Sequence, residues 1–303
     1  MIKISFTDYE YVDKMTLKHF KNLAYEEIGE DNEEIILFLH TKLLDKWIWK
    51  KQKEGFNHYF SDFHCVFLDL PNHGDSTSAE EFSIVKSSEE IAEFIESLID
   101  SKARSHANKN NKINLVALGL GGSIAIEIIN KNPQLIGNLI LSGLEIADFR
   151  EEERESIINR LAKTQSEYLN EKPDSFIVKA YLRYFGIPKE NYQEMERILE
   201  ISVKDEMKIA YESLNYTIPI DLKDNEEVLK KDNILIIYGN KEDLNCTKSA
   251  IGLKNLFKNA KLVEIDKGNH LWNIIDHELF NEIITNFIKS NTIRSSSKVM
   301  ILE

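Results

Sequence analysis

Six short apolar runs alternate along the chain with segments that have helical periodicity. Strands that are apolar on both faces are typical of parallel sheets, because helices cover both sides of such a sheet. The alternation therefore predicts an α/β fold with a mostly parallel sheet flanked by helices. The predicted strands are 35–40, 63–70, 113–118, 135–142, 234–238 and 261–265, the predicted helices are 87–99, 122–130, 249–257 and 278–288, and residues 2–6 and 15–19 are candidates for antiparallel edge strands.

One long segment interrupts this alternation. Residues 145–231 show only helical periodicity, and they stand between two predicted strands. Ligands bind beyond the carboxyl ends of the strands in open α/β sheets, so a helical insertion at this point predicts a lid over a binding site. The predicted organisation is a core of residues 1–144 and 232–290, a lid inserted after the strand that ends near Ser142, and a flexible tail at 291–303.

The charge limits the classes of binding partner that we expect, and the cysteine content limits the cellular compartment. With 51 acidic and 38 basic residues, the net charge of −13 repels nucleic acid and anionic membrane surfaces. No run approaches the ~20 apolar residues of a membrane helix. Cys65 and Cys246 form neither a disulfide framework nor a zinc-binding spacing, which is typical of a reducing compartment. We therefore expect a cytoplasmic protein with a small-molecule ligand or substrate and no metal or cofactor, and the oligomeric state stays open.

A glycine-rich segment at residues 115–122 carries the most specific motif. Its sequence, Leu-Val-Ala-Leu-Gly-Leu-Gly-Gly, spans the end of a predicted strand and the start of a predicted helix. It resembles the nucleophile elbow of the α/β-hydrolase family, a Gly-x-Ser-x-Gly turn that exposes a serine. Gly119 occupies the nucleophile position and cannot attack a substrate. Glycine also relieves backbone strain that costs an ordinary residue ~1–3 kcal/mol at such a turn.

Four further segments resemble motifs of the same family and follow the family's order. His40-Thr41-Lys42 resembles the His-Gly loop that supplies an oxyanion-binding amide, although Thr41 replaces the glycine. The other three are the Asp-x-Pro-Gly-His-Gly-x-Ser-like loop at 69–76, the turn at 238–243 that would carry the acid, and the step at 268–270 that would present the histidine. Together with the elbow, the four segments imply the α/β-hydrolase fold, in which the nucleophile position, the acid and the histidine follow in this order along the chain.

The resemblance implies that His270 is the catalytic base of the site. Such a histidine needs a carboxylate that accepts a hydrogen bond from one ring nitrogen, and its other ring nitrogen must face the group from which it takes a proton. Glu242 is in register for the acid and Asp243 is its neighbour, whereas Glu145 and Asp148 are alternative acids after the strand that precedes the lid. The competing interpretation is that His270 is a packing group that has lost its catalytic role.

Oxyanion-binding donors would survive the loss of the nucleophile. The backbone amides of Leu120 and Lys42 would fill this role, and a change of side chain at the elbow does not remove a main-chain donor. Trp47 and Trp272 are candidates for the pocket wall, with burial in the core as an equal alternative. An anion or carbonyl pocket is therefore expected beside Gly119.

None of the nearby serines is expected to replace the missing nucleophile. Ser123 lies one turn inside the predicted helix and is expected to point away from the elbow, and Ser76 is expected to be a turn residue. Ser142 ends a predicted strand near the edge of the site and is an outside candidate. His40 and His73 match structural positions of the family.

Three functional hypotheses remain open from the sequence. In the first, the protein binds a small apolar or acyl-type ligand under a helical lid without catalysis. In the second, it is an enzyme in which His270 acts as a general base on water or substrate. In the third, it is an ester, thioester or peptide hydrolase inactivated by a Ser→Gly change at position 119. Fold alone does not identify the ligand, because lid pockets vary freely on one fold.

Overall fold

The computed structural model describes residues 15–77, 81–105, 111–150, 189–193 and 206–302. Within these residues nine strands form one sheet, in the order β1-β2-β4-β3-β5-β6-β7-β8-β9. The strands are β1 (Lys18–Phe20), β2 (Leu23–Ile28), β3 (Glu34–Leu39), β4 (Phe63–Leu68), β5 (Ile113–Leu118), β6 (Ile136–Ser142), β7 (Ile234–Gly239), β8 (Lys261–Ile265) and β9 (Val299–Leu302).

The six central strands, β4-β3-β5-β6-β7-β8, are parallel, whereas β1, β2 and β9 are antiparallel at the two edges. Among the described residues, no helix is both long and apolar enough to cross a membrane. The α-helices there are α1 (Lys50–Glu54), α2 (Ile84–Ser105), α3 (Leu120–Lys131), α4 (Glu206–Asn215), α5 (Glu226–Leu229), α6 (Leu244–Leu256), α7 (Trp272–Ile275) and α8 (His277–Ser290).

Both faces of the sheet are buried, because successive side chains of a strand point to opposite faces and helices cover each of them. Leu37 of β3 packs in the cluster that contains Ile124 of α3 and Leu253 of α6. Phe38, the next residue, packs in the second cluster with Phe280 of α8. This double burial explains why the central strands are mostly apolar.

The predicted α/β architecture with a mostly parallel sheet is confirmed, and the six predicted central strands correspond to β3–β8. The candidate edge strand at 15–19 overlaps β1 only at residues 18 and 19, whereas residues 2–6 lie outside the described residues. The pattern did not predict β2, because Tyr25, Glu26 and Glu27 interrupt its apolar residues. Such alternation is tolerated here because β2 lies near the edge of the sheet, where one face is partly open.

The tail at 291–303 is not the flexible end that the sequence predicts. Residues Val299–Leu302 form β9, which pairs antiparallel with β8 and places Leu302 opposite Leu262. Val299 is 2% exposed and joins the core beneath α8. The residues that precede β9 are polar and include several serines. The strand forms nevertheless, because its backbone pairs with the hydrogen-bonding groups at the edge of β8.

The segment predicted as a lid connects β6 to β7, which pair directly in the sheet. The structure describes residues 145–150, 189–193 and 206–231 of it, and these contain α4 and α5 together with short 3₁₀ turns. The rest of the predicted lid lies outside the described residues. The described part contains helices, turns and loops and no strand.

Glu27 of β2 should make the stability of the fold depend on pH. Its carboxylate accepts hydrogen bonds from His64 Nε2, at 2.9 Å, and from Lys18. Burial alone would raise the pKa of Glu27, but these two partners outweigh it and lower the pKa to about 2. The stabilising effect of the ionised form is therefore fully present above pH ~4.5 and lost as the pH falls towards 2.

We expect Glu27→Gln to lower the free energy of unfolding by about 2 kcal/mol at pH 7, and by progressively less below pH ~4.5. Urea unfolding of both proteins at pH 7, 5, 4 and 3 measures this difference, and all other carboxylates cancel in the comparison. A difference that stays constant from pH 5 to pH 3 would contradict the assignment.

Candidate active site

A sharp turn at Gly119 joins β5 to α3. Its φ of 49° and ψ of −115° strain most residues, and glycine adopts them readily. The following glycines permit close packing. A Cβ at Gly121 would lie 2.7 Å from the carbonyl oxygen of His40, and one at Gly122 would lie 2.4 Å from Leu144 Cδ1. The strand–turn–helix arrangement predicted at 115–122 is therefore present.

The space beside Gly119 is filled by Thr41, which follows β3. A Cβ built on Gly119 would lie 2.2 Å from Thr41 Oγ1, 3.0 Å from Thr41 Cβ and 3.2 Å from His270 Nε2. A side chain at position 119 would therefore collide with the threonine hydroxyl. Residues 41 and 119 compete for one volume next to the histidine, and Thr41 fills it.

His270 follows β8 and is oriented by a carboxylate from the turn after β7. Its Nδ1 lies 2.9 Å from Glu242 Oε1, and Glu242 Oε2 accepts a hydrogen bond from the Gly239 amide at 2.9 Å. The side chain of Glu242 is only 1% exposed. Asp243 instead accepts a hydrogen bond from the Asn245 amide and caps α6. The structure thus pairs His270 with Glu242 and gives Asp243 a structural task.

The two alternative acids are engaged elsewhere. Asp148 accepts a hydrogen bond from the Ile218 amide at 2.6 Å, and Glu145 accepts one from the Asn245 side chain at 3.1 Å. Gly143, just after β6, leaves room for the His270 pair. A Cβ there would lie 2.6 Å from the Glu242 carboxylate and 2.8 Å from His270 Nδ1.

The second ring nitrogen of His270 faces the Thr41 hydroxyl. Thr41 Oγ1 lies 3.1 Å from His270 Nε2. When Nδ1–H donates to the Glu242 carboxylate, Nε2 carries the lone pair and accepts a hydrogen bond from the threonine hydroxyl. Hydroxyl, imidazole and carboxylate are therefore connected in series, as they are in a serine–histidine–acid triad.

His40 holds the backbone of the loop that carries Thr41. Its Nδ1 lies 2.7 Å from the Thr41 carbonyl oxygen, to which it donates, and its Nε2 accepts a hydrogen bond from the Leu70 amide. Burial lowers the pKa of His40 well below its usual range, so the ring stays neutral and keeps this tautomer. The positive φ of the loop falls at Leu43, at 63°, so threonine in place of glycine adds no left-handed strain at position 41.

A buried ion pair fastens the same loop to the loop after β4. Lys46 Nζ lies 2.7 Å from Asp69 Oδ2 and 2.7 Å from Asp75 Oδ2, and the Lys46 amide donates to Asp69 Oδ1. The Asp69 side chain is fully buried and that of Lys46 is 8% exposed. The Asp-x-Pro-Gly-His-Gly-x-Ser-like loop therefore supports the active-site loop and does not contribute reactive groups.

Two backbone amides beside Thr41 and Gly119 are available to a ligand. Within the described residues, neither the Leu120 amide nor the Lys42 amide donates a hydrogen bond. The Leu120 amide has no acceptor in the described part of the chain because Leu120 opens α3, where the first N–H groups have no partner within the helix. Both amides were predicted as oxyanion donors, and both residues line the pocket at the histidine.

This pocket is small, with a volume of about 20 Å³, which is room for roughly one water molecule. Burial lowers the pKa of the Lys42 side chain, which lines the pocket, and the nearby Glu145 carboxylate opposes this effect. Ser123 also lines it, although the sequence predicts that this residue points away. The lining residues described are Thr41, Lys42, Leu44, Gly119, Leu120, Ser123, Gly143, Glu145, Ser213, Cys246, His270 and Leu271.

Neither predicted tryptophan lines the pocket. Trp272 is 1% exposed and packs in the core, where its indole N–H donates to Ser142 Oγ at 3.1 Å. Trp47 packs at the margin of the same core cluster, under the side chain of Lys50. Both tryptophans therefore belong to the core and not to the pocket wall. The Ser142 hydroxyl is engaged as the acceptor of the Trp272 indole N–H.

Glu242, Cys246 and His270 have potential metal-ligand atoms within 4.8 Å of one another. The donor set does not fit a metal well. The Glu242 oxygen and His270 Nδ1 already share a hydrogen bond, and burial followed by the Glu242 charge raises the pKa of the Cys246 thiol well above its usual range. A metal ion would have to break that bond and remove the thiol proton.

Comparison with known proteins identifies the family. The family model described as alpha/beta hydrolase fold matches residues 34–277. The chain belongs to this family. Among curated proteins it is similar to the "Putative 2-succinyl-6-hydroxy-2,4-cyclohexadiene-1-carboxylate synthase" of Haemophilus influenzae, with 29% identity over 145 residues. That match covers 47% of the chain and 53% of the relative, so the chain spans about half the length of the curated relative it matches.

Solved structures share the fold of this alpha/beta hydrolase. An esterase from Exiguobacterium antarcticum superposes with a TM-score of 0.70 at 16% identity, covering 88% of this chain and 96% of that one. MenH from S. aureus superposes with a TM-score of 0.66 at 20% identity, covering 89% and 98%. At these identities the likeness shows the fold alone, which confirms the α/β-hydrolase fold predicted from the motifs.

The sequence does not identify Thr41 as a potential reactive group. Taken motif by motif, threonine in place of glycine at position 41 and glycine in place of serine at position 119 are two separate departures from the family pattern. The signal lies in the pair, because a hydroxyl is missing from one motif and present in the other. Only the folded chain brings the two positions into one volume.

Proposed function

We propose that the protein is a small-molecule hydrolase in which His270 serves as a general base although the elbow carries no serine. The observation behind this proposal is the 2.9 Å contact between His270 Nδ1 and the buried Glu242 carboxylate. Such a contact keeps one tautomer and stabilises the imidazolium that forms when Nε2 accepts a proton. General-base catalysis by a histidine accelerates reactions by ~10²–10⁴.

A carbonyl substrate, such as an ester or thioester, fits the groups around this base. The Leu120 and Lys42 amides have no other acceptor among the described residues, and an oxyanion that forms from a carbonyl would provide one. Ser213 of α4 lines the pocket, which supports the proposal that the segment 145–231 covers the site as a lid.

Ligand binding without turnover is the second candidate. It is favoured by the Thr41 side chain, which occupies the volume that a nucleophile at position 119 would need. The same observation counts against a hydrolase inactivated by a single Ser→Gly change. A serine at position 119 would overlap the Thr41 hydroxyl, so Thr41 would have to turn away from His270 for the two residues to coexist.

Glu242→Gln tests the enzyme proposal. We expect it to lower kcat/KM for the best substrate of a short-chain ester and thioester panel by ~10²–10⁴, because an amide does not stabilise imidazolium and favours the wrong tautomer. Asp243→Asn is the matched control. It alters the neighbouring carboxylate, which caps α6, and should leave the rate within about twofold and cost at most ~1 kcal/mol of stability. Equal rates in wild type and Glu242→Gln, with ligand-induced thermal shifts preserved, would instead favour the binding role.

A further inference from the structure

We infer that Thr41 is the nucleophile of this site, displaced from the elbow to the loop after β3. The inference rests on the proposed function and adds the residue that would carry the covalent intermediate. The Thr41 hydroxyl lies 3.1 Å from His270 Nε2, and His270 Nδ1 lies 2.9 Å from the Glu242 carboxylate. Each contact is short enough for a hydrogen bond, and the chain of contacts has the order that activates a hydroxyl.

The position of the hydroxyl supports the same role. Thr41 Oγ1 lies 2.2 Å from the point where a Cβ on Gly119 would stand. It is therefore close to where an elbow serine would place its side chain, although it belongs to the loop after β3. Thr41 also lines the pocket beside His270, so its side chain borders the space in which the proposed substrate would react.

The same two backbone amides can serve as oxyanion donors when the nucleophile lies on the loop after β3 and not at the elbow. In the usual arrangement one donor is the amide after the nucleophile and the other comes from the neighbouring loop. With Thr41 as nucleophile, the Lys42 amide becomes the donor after the nucleophile, and the Leu120 amide becomes the donor from the other loop. Neither of these amides donates to another described residue.

Other candidate nucleophiles near the site are less suitable. Ser142 accepts the Trp272 indole N–H, and the Ser76 hydroxyl donates to the Asp69 carbonyl oxygen at 2.7 Å. Burial and nearby acids raise the pKa of the Cys246 thiol, which disfavours the reactive thiolate. Ser123 lines the pocket from α3 without a hydrogen bond to His270.

The proposed reaction is an acyl transfer with a balanced proton cycle. His270 Nε2 takes the Thr41 hydroxyl proton while Oγ1 bonds to the carbonyl carbon of the ester. The tetrahedral intermediate collapses, the bond to the alcohol oxygen breaks, and His270 returns the proton to the departing alcohol. Water then attacks the acyl-threonine, with its proton taken by His270, and the carbon–Oγ1 bond breaks as Thr41 regains a proton.

Covalent labelling of the full chain tests this inference. Wild-type protein is treated with a fluorophosphonate, and intact mass and peptide mapping locate the adduct. We expect one adduct per chain on Thr41, none in Thr41→Val or His270→Ala, and faster labelling in Thr41→Ser, since serine lacks the methyl group. Thr41→Val keeps the branched shape, and its circular dichroism and thermal midpoint confirm folding. Turnover of the best panel substrate should fall at least ~10²-fold in Thr41→Val and persist in Thr41→Ser.

The outcomes separate this inference from the proposed function. If Glu242→Gln and His270→Ala lose turnover while Thr41→Val keeps it, the histidine base stands and the nucleophile assignment is wrong. If none of the three variants differs from wild type, both proposals fail. An adduct on any residue other than Thr41, or no adduct on folded wild type at saturating probe, overturns the nucleophile assignment.

Discussion

Gly119→Ser alone should impair the protein, whereas Gly119→Ser combined with Thr41→Gly should be active. The single change places a Cβ 2.2 Å from Thr41 Oγ1, at a φ of 49° that strains any side chain. Thr41 must then rotate away and lose its contact with His270, and the strained turn costs ~1–3 kcal/mol. The double change removes the obstacle and moves the hydroxyl back to the elbow. We expect it to hydrolyse p-nitrophenyl acetate at least ~10²-fold faster than a matched protein without a hydroxyl.

That matched protein is Gly119→Ala combined with Thr41→Gly, which has the same Cβ and the same loop glycine. Thermal midpoints and steady-state rates of the four proteins, wild type included, measure both effects. If Gly119→Ser alone is as stable and as active as the double variant, Thr41 does not occupy the space that the structure assigns to it. If the serine and alanine double variants have equal rates, the oxyanion site or His270 is out of position for an elbow serine.

Lys46→Met should be among the most destabilising substitutions in the described core. Its ammonium lies 2.7 Å from the fully buried carboxylate of Asp69. Removing one member of a buried ion pair leaves the other charge uncompensated, which typically costs ~3–5 kcal/mol. The loop that carries Thr41 would also lose its fastening to the loop after β4. Urea unfolding at pH 7 measures the loss.

Lys131→Met is the control, because Lys131 pairs with Glu89 on the surface and should contribute less than ~1 kcal/mol. The pH dependence supplies a second measurement. Burial already raises the pKa of Asp69 even beside Lys46, and loss of the ammonium would raise it further. Protonation then relieves the buried charge, so the deficit of Lys46→Met should shrink as the pH falls from 7 towards 4. A deficit that grows over this range would contradict the buried-charge explanation.

The fold was predictable because its dominant signal is local. A strand buried on both faces is mostly apolar, and β3, β5 and β7 satisfy this apart from Glu34 and Asn114, without reference to the rest of the chain. β2 and β9 were not predicted, because the signal for these strands is not local. Their pairing depends on the edges that β4 and β8 present, and such edges are properties of the assembled sheet.

The site was predictable only in part, because its groups come from distant segments. The motifs placed His270 and one of two adjacent acids at the site, but helix capping by Asp243 decided between the acids. Large aromatic residues occur in cores and in pocket walls, so the sequence does not decide between these positions for Trp272. The structure decides it, because the indole N–H of the buried ring donates to Ser142 Oγ. The contact between Thr41 and His270 joins residues 229 positions apart, and no local pattern reports it.

The single volume shared by residues 41 and 119 also bears on the evolution of the site. Starting from this chain, serine at position 119 alone collides with Thr41, and glycine at position 41 alone leaves the histidine without a hydroxyl. If Thr41 is the nucleophile, each single step is expected to lower activity, while the two together restore the usual elbow serine. The proposal therefore predicts reciprocal sign epistasis between the two positions, with reversion disfavoured through single substitutions. A survey that judges each motif by itself would count such a lineage among the inactive members, although the proposed hydroxyl stands on the facing loop.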